Sequence, residues 1–209
     1  MNITFPFDAS TLLRKKKSLR RELSAQQGLL EKRIAILGGS TTDEVVDMLE
    51  LYLLTRGIKP VFYQSAYGQF LQEALQPSQA LRDFKPELIY IHTSAVNIQA
   101  FPGMSDDAET VDALLQQQLV NFSSVWDGIQ QHPGCAIIQN NFEEPWHRPM
   151  GNLDGSDYRG KSRFVSRLND AFADAAHQRQ DLLIHDIHYL SARIGLDQWF
   201  SPRQWYLYK

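Results

Sequence analysis

Ile34-Ala35-Ile36-Leu37-Gly38-Gly39-Ser40-Thr41-Thr42 is the stretch that decides the fold of this 209-residue chain. Four apolar residues are too few for a buried helix. Two glycines and three hydroxyl residues close the run at once, so it reads as a buried strand running into a turn. A helical pattern follows, with Asp43 and Glu44 in its first turn and Val45, Val46, Leu49, Tyr52 and Leu53 on one face, and Gly57 stops it. Pro60-Val61-Phe62-Tyr63 is the next apolar run. Strand, helix and strand in that order make a βαβ unit, hence a parallel sheet.

The same alternation continues outward. Gly68 to Leu75 reads as a helix, and Glu87-Leu88-Ile89-Tyr90-Ile91 as a third strand. A long helical pattern spans about Asp107 to Gln131, and Cys135-Ala136-Ile137-Ile138 is the fourth strand. Gln139 to Asp157 holds prolines, glycines and polar residues and reads as a long loop of the functional or mobile kind. A helix over Arg163–His177 and the strand Asp181-Leu182-Leu183-Ile184-His185 complete the series. The aromatic end, Trp199-Phe200 and Trp205-Tyr206-Leu207-Tyr208, reads as a surface cover or docking segment. The predicted fold is a three-layer α/β/α domain over 33–209, with a flavodoxin-like five-stranded parallel sheet in the order 2-1-3-4-5. Residues 1–32 form a helical extension. In it Leu12, Leu13, Leu19 and Leu23 lie among Arg14, Lys15, Lys16, Lys17, Arg20 and Arg21. That pattern favours a solvated helix docked on a neighbour and capped by Asp8 or Ser10, over a localisation signal or polyanion contact.

Composition narrows the function classes. Apolar residues are 43% and charged residues 22%, the balance of a globular chain. Residues 1–33 carry eight Lys/Arg and three Asp/Glu, and the rest carries thirteen and twenty-one. An acidic main body does not suit nucleic acid, whose phosphates need clustered cations. Cys135 is the single cysteine, so a disulfide framework and a cysteine zinc fold are excluded. No apolar run approaches the roughly 20 residues of a membrane span, and no signal peptide opens the chain. The expected setting is cytoplasmic.

In parallel sheets, ligands bind outside the carboxyl ends of the strands. Here those ends carry Gly39, Ser40 and Thr41; Gln64, Ser65, Tyr67 and Gly68; His92, Thr93, Ser94 and Asn97; Asn140, Asn141, Glu143 and Glu144; and Asp186 and His188. The first turn lacks the Lys of a P-loop and the glycine spacing of a dinucleotide fold, and Asp43 and Glu44 would repel a phosphate there. No cofactor and no metal are expected. The remaining chemistry is a nucleophilic serine on a strand-to-helix turn. Ser40 would be that nucleophile. The Ser40 and Gly68 backbone N–H groups and the Asn97 amide would receive the oxyanion. From these residues alone helix capping is the favoured account of Ser40, a tight turn accounts for Gly68, and a loop amide satisfying backbone groups accounts for Asn97.

The first stretch, the Gln64-x-x-Tyr67-Gly68-Gln69 turn and Phe84-Lys85-Pro86-Glu87-Leu88-Ile89-Tyr90-Ile91-His92-Thr93 resemble the SGNH-hydrolase-like N-terminal domain of FkbH-like proteins. So do Gln139-Asn140-Asn141-Phe142-Glu143 and Ile194-Gly195-Leu196-Asp197…Trp205-Tyr206. The resemblance runs from about residue 12 to the end. It implies that Ser40 holds the first-block serine, Gly68 the second-block glycine and Asn97 the third-block asparagine. It implies a following haloacid-dehalogenase-type domain that loads a phosphoglycerate-derived unit onto an acyl carrier protein, in polyketide, nonribosomal peptide or surface-glycan pathways. Near the C-terminus, where the family places its Asp-x-x-His, Asp186-Ile187-His188 has the wrong spacing, and the matching His is expected beyond Lys209. No Asp-x-Asp-x-Thr/Val motif occurs either.

His188 follows the last strand, where a base is needed, and is the candidate base. His92 reads as a core histidine, His147 as a loop residue, and Glu143 and Glu144 as solvated loop acids, one of which can receive a substrate amine or hydroxyl. A metal site from His185, Asp186 and His188 is disfavoured, because one strand end presents three ligands poorly. Two functions are therefore expected. One is an SGNH-type serine esterase or acyltransferase working on an ester or thioester on the phosphopantetheine arm of an acyl carrier protein. The other is a catalytically silent module docking a carrier protein or the following domain.

Overall fold

The computed structural model describes residues 8–130 and 134–203. The aromatic residues Trp205 to Tyr208 and the helix end at Gln131 lie outside them. Helix α1 (Ala9–Ser24) is capped by Asp8, whose carboxylate accepts the Thr11 N–H. Strand β1 (Leu30–Gly38) then enters the sheet, four residues earlier than its apolar run. α2 (Asp43–Thr55), β2 (Ile58–Gln64), α3 (Phe70–Leu75), α4 (Gln79–Phe84) and β3 (Leu88–His92) follow. Next come α5 (Ala108–Ile129), β4 (Ala136–Asn140), α6 (Lys161–Gln178), β5 (Leu182–His185), α7 (Ile187–Ile194) and α8 (Leu196–Trp199). The sheet is parallel throughout, as the βαβ pattern requires, and its order β2-β1-β3-β4-β5 is the flavodoxin-like one expected.

One sheet face carries Ala35, Leu37, Ile89, Ile91, Ile137 and Leu182, all buried under α5 and α6. An aromatic cluster fills that layer. Phe122 and Phe172 meet edge-on at 5.0 Å and Trp126 meets Phe172 at 5.1 Å, tilted geometries that suit the ring quadrupoles. The other face carries Ile34, Ile36 and Tyr90, packed with Val45, Val46, Leu49 and Leu53 of α2. Leu183 of β5 remains 59% exposed. Burial on both faces explains why β1 is a continuous apolar run without alternation.

The extension docks as its pattern predicts. Leu12, Leu19 and Leu23 of α1 are buried against Leu51 and Leu54 of α2. Asp47 of α2 pairs with Lys16 and with Arg20, the latter at 2.6 Å. Leu13, expected in the same interface, points outward at 57% exposure, because it follows Leu12 by about 100° around the helix. α4, α7 and α8 are additions to the sequence reading. The loop after β4 contains a 3-10 turn at Gly151–Gly155.

Candidate active site

Three turns meet at the carboxyl edge of the sheet around β1. Ser65, just past β2, accepts the Gly38 N–H on its hydroxyl at 3.0 Å and donates its own N–H to the Ile36 carbonyl. On the other side, the Gly39 N–H donates to the His92 carbonyl at 2.7 Å. Past β3, Ala95–Asn97 forms a 3-10 turn. Asn97 Oδ1 accepts the Ser94 N–H at 2.9 Å, and its Nδ2 donates to the Gly39 carbonyl at 3.1 Å. A Cβ at Gly39 would lie 2.5 Å from Asn97 Oδ1, so any side chain there would displace the Asn97 amide.

Ser40 therefore sits on a turn held from both sides. It is half-buried, and its hydroxyl has no hydrogen-bond partner among the described residues. The capping alternative fails: α2 starts at Asp43 with Thr42 as its cap residue, and no side chain makes the capping bond. Thr42 Oγ1 instead approaches Gln64 Oε1 at 3.4 Å. Gly68 lies exposed between β2 and α3 with φ +69°, in the left-handed region, and the helix begins two residues later than the sequence reading placed it.

His188 is not in contact with this group among the described residues. It is the second residue of α7, and its N–H donates to Asn141 Oδ1 at 2.9 Å. Its Nδ1 is buried and has no hydrogen-bond partner among the described residues. β5 stands three strand spacings from β1, about 14 Å. His92 and His185 flank the Tyr90 hydroxyl at 3.3 and 3.2 Å, which agrees with a structural reading of His92. Burial holds both imidazoles below their ordinary pKa, and repulsion from His185 adds to the effect at His92. His147 is exposed in the loop after β4.

The amides after β4, read from sequence as part of a polar crevice, are mainly structural. Asn140 accepts the Thr93 N–H at 2.8 Å and donates to the Thr93 and Asn141 carbonyls. Gln139 donates to the Thr93 hydroxyl at 2.9 Å, and Asn141 donates to Asp186 at 2.8 Å. Together they tie the ends of β3, β4 and β5, since buried polar groups must be paired. Glu143 departs from the solvated reading. Its Oε1 accepts the Ala95 N–H at 3.2 Å, and burial pushes its pKa up. It lines a cavity of about 230 Å³ together with the polar or charged Glu144, His147 and Lys161 and the aromatic Phe101, Trp146 and Phe200. The sequence offered no signal for that cavity, because its walls come from three separate loops. A wider hollow of about 720 Å³ lies at the opposite, amino-terminal edge beside Cys135 and Arg179, away from every strand exit.

Among the described residues, no group of three or more His, Cys, Asp or Glu is placed to hold a metal ion. No described helix is long and apolar enough to cross a membrane.

The family model described as FkbH, N-terminal domain, matches residues 33–208. Among solved structures, the N-terminal part of the protein BF1531 from Bacteroides fragilis, described as containing a phosphatase domain complexed with Mg, is similar over 92% of this chain. Its TM-score is 0.75 and its identity 15%. BT4096, described as a gut microbial diltiazem-metabolizing enzyme, is similar over 81% of this chain, with TM-score 0.56 and 12% identity. At these identities the likeness is one of fold. The chain spans 50% of the first structure's length and 40% of the second's. No curated protein matches the chain.

Proposed function

The chain belongs to the FkbH N-terminal domain family, and on that premise we propose that it acts on, or presents, an ester- or thioester-linked acyl or glyceryl group on the phosphopantetheine arm of an acyl carrier protein. The Ser40 hydroxyl oxygen would attack the carbonyl carbon as its proton passes to a base. Collapse of the tetrahedral intermediate would expel the thiol or alcohol and leave an acyl-serine for water or an acceptor to take. The Ser40 and Gly68 N–H groups and the Asn97 amide would stabilise the oxyanion, the largest single term in such catalysis. The observation that carries this reading is the Asn97 clamp on Gly39, which holds the serine turn open with its hydroxyl unengaged.

The second reading is a catalytically silent module that docks a carrier protein or a following haloacid-dehalogenase-type domain. It is favoured by the absence, among the described residues, of any histidine or carboxylate bonded to Ser40. A serine without its base loses most of its reactivity. The division into an extension, 1–32, and a domain, 33–209, belongs to the same proposal, as does a reducing cytoplasmic setting for the single buried thiol.

The test is intact-mass spectrometry after exposure to a fluorophosphonate probe. One adduct on the wild-type chain, lost in Ser40→Ala, supports the enzyme. No adduct under conditions that label a known serine esterase rejects it and moves attention to carrier-protein binding.

A further inference from the structure

Helix α1 has one face docked and one face bare. Leu12, Leu19 and Leu23 lie buried against α2. The two cations beside that seam are used as well: Lys16 and Arg20 pair with Asp47, and Arg20 also reaches Glu50 at 2.7 Å. At about 100° per residue, Leu13, Arg14, Lys17 and Arg21 gather on the opposite side of the helix. All four are exposed, and the three cations form no ion pair among the described residues. Both helices feed parallel strands, α1 through residues 25–29 into β1 and α2 into β2, so both run from the carboxyl edge toward the amino edge. Arg14 therefore marks the end of the stripe nearer the edge at which Ser40 emerges.

Helix stability does not explain the stripe. Arg14 and Lys17 stand three positions apart and Lys17 and Arg21 four, spacings at which like charges repel. The stripe runs roughly 10 Å along the helix, so its cations do not converge on one small anion and suit an extended acidic surface. A bilayer fits poorly, because the apolar face of α1 is buried on α2 and cannot enter lipid. Nucleic acid fits poorly too, because the body behind the helix, residues 34–209, carries thirteen Lys/Arg against twenty-one Asp/Glu and repels phosphate. In a second copy, Asp112, Asp127, Asp157 and Asp181 of that body are already paired within it. A partner helix with acids along one face fits best. Its side chains three and four positions apart repeat at the rise of the stripe, and an apolar residue among them can meet Leu13.

We propose that Leu13, Arg14, Lys17 and Arg21 form the docking face for an acyl carrier protein, engaging acids on one helix of the carrier. The inference rests on the carrier-protein reading above for its partner. The full chain is titrated by fluorescence anisotropy into a labelled holo acyl carrier protein of net negative charge. The variant carrying Arg14→Glu, Lys17→Glu and Arg21→Glu is expected to bind about tenfold more weakly or worse. Each site is exposed and away from the leucine seam, so a thermal melt should show the variant folded. Raising salt to about 300 mM brings the Debye length below the length of the stripe and should weaken wild-type binding several-fold. A control with the same change in net charge, Arg56→Glu, Arg82→Glu and Arg163→Glu at exposed sites elsewhere, should stay within about twofold of the wild-type chain. Reversing acids on the carrier's helix to Lys should restore binding to the stripe variant.

Carrier binding that is indifferent to the stripe variant overturns the docking face and leaves the carrier-protein reading standing. Equal loss in the stripe variant and the control assigns the effect to net charge and overturns it too. No carrier binding by a folded chain at about 100 µM overturns both the face and that reading. Stripe-dependent binding to anionic phospholipid vesicles or to duplex DNA without carrier binding, or a stripe-dependent dimer in sedimentation, gives the face another occupant and overturns the proposal. Stripe-dependent carrier binding combined with an unreactive serine rejects the esterase alone.

Discussion

Asn97 reaches across 58 positions of sequence to donate its amide to the Gly39 carbonyl at 3.1 Å, and the same side chain would stand 2.5 Å from a Cβ at Gly39. Bond and close approach are one feature: the amide sits where any side chain at 39 would have to go. Gly39→Ala is therefore expected to displace Asn97 and destabilise the domain by about 1–3 kcal/mol, the usual cost of overpacking. Asn97→Ala should lose the clamp without the clash. If Ser40 is labelled by the fluorophosphonate, both variants should lower the labelling rate at least tenfold; unchanged labelling in both would show that the clamp does not position the serine.

Gly160 presents a second close approach. An added Cβ would lie 1.9 Å from the Asp154 carbonyl oxygen, and Asp154 is fully buried while accepting the Ser162 N–H at 2.7 Å and the Met150 N–H at 3.2 Å. The backbone of the 3-10 turn cannot retreat without breaking those bonds. Gly160→Ala should cost more than about 2 kcal/mol in urea unfolding, and Asp154→Ala a similar amount. Full-stability Gly160→Ala would mean that the loop repacks freely.

The extension should be held by its leucines more than by its charges. Leu19→Ala removes a buried side chain between α1 and α2 and is expected to cost about 2–4 kcal/mol. Asp47→Asn breaks partly exposed pairs with Lys16 and Arg20 and should cost below about 1 kcal/mol, less still at high salt. Thermal melts of the two variants at low and high ionic strength check both magnitudes. The reverse order would make α1 an electrostatic attachment.

Stability should fall on acidification through the histidine pair. Burial lowers the pKa of His92 and His185 in the folded chain, and Asp186 opposes part of that effect at His185. Between the folded values and the unfolded value of about 6.5 the unfolded chain binds more protons, so stability rises with pH. The urea midpoint is expected to drop between pH 7.5 and pH 5.5, and His92→Asn with His185→Asn should flatten that slope. The Tyr90 hydroxyl between them, pushed up to about 12 by burial, stays protonated throughout.

Most of the architecture was legible because parallel strands buried on both faces leave short uninterrupted apolar runs. Ile34–Leu37, Ile89–Ile91 and Ile137–Ile138 mark the central strands in that way. The short helices were not. α4 has six residues and a single buried leucine, Leu81, and it ends at Lys85 with φ 51°, so no periodicity develops. β1 likewise begins at Leu30, where edge pairing with Ile58 orders residues whose side chains stay largely in water.

By itself the sequence determined the parallel strands, the long helices and the edge at which Ser40, Gly68, Asn97 and His188 emerge, because hydrophobic period and glycine placement are local properties. Only the tertiary structure decided which of those residues meet. It joined Asn97 to Gly39, left the Ser40 hydroxyl without a partner among the described residues and put His188 on a strand exit three places away. It also turned Glu143, 48 positions from Ala95, from a solvated loop acid into a mostly buried carboxylate bonded to the Ala95 N–H in a cavity wall. Loop conformation depends on bonds made across the whole chain, and such bonds leave no period in the sequence.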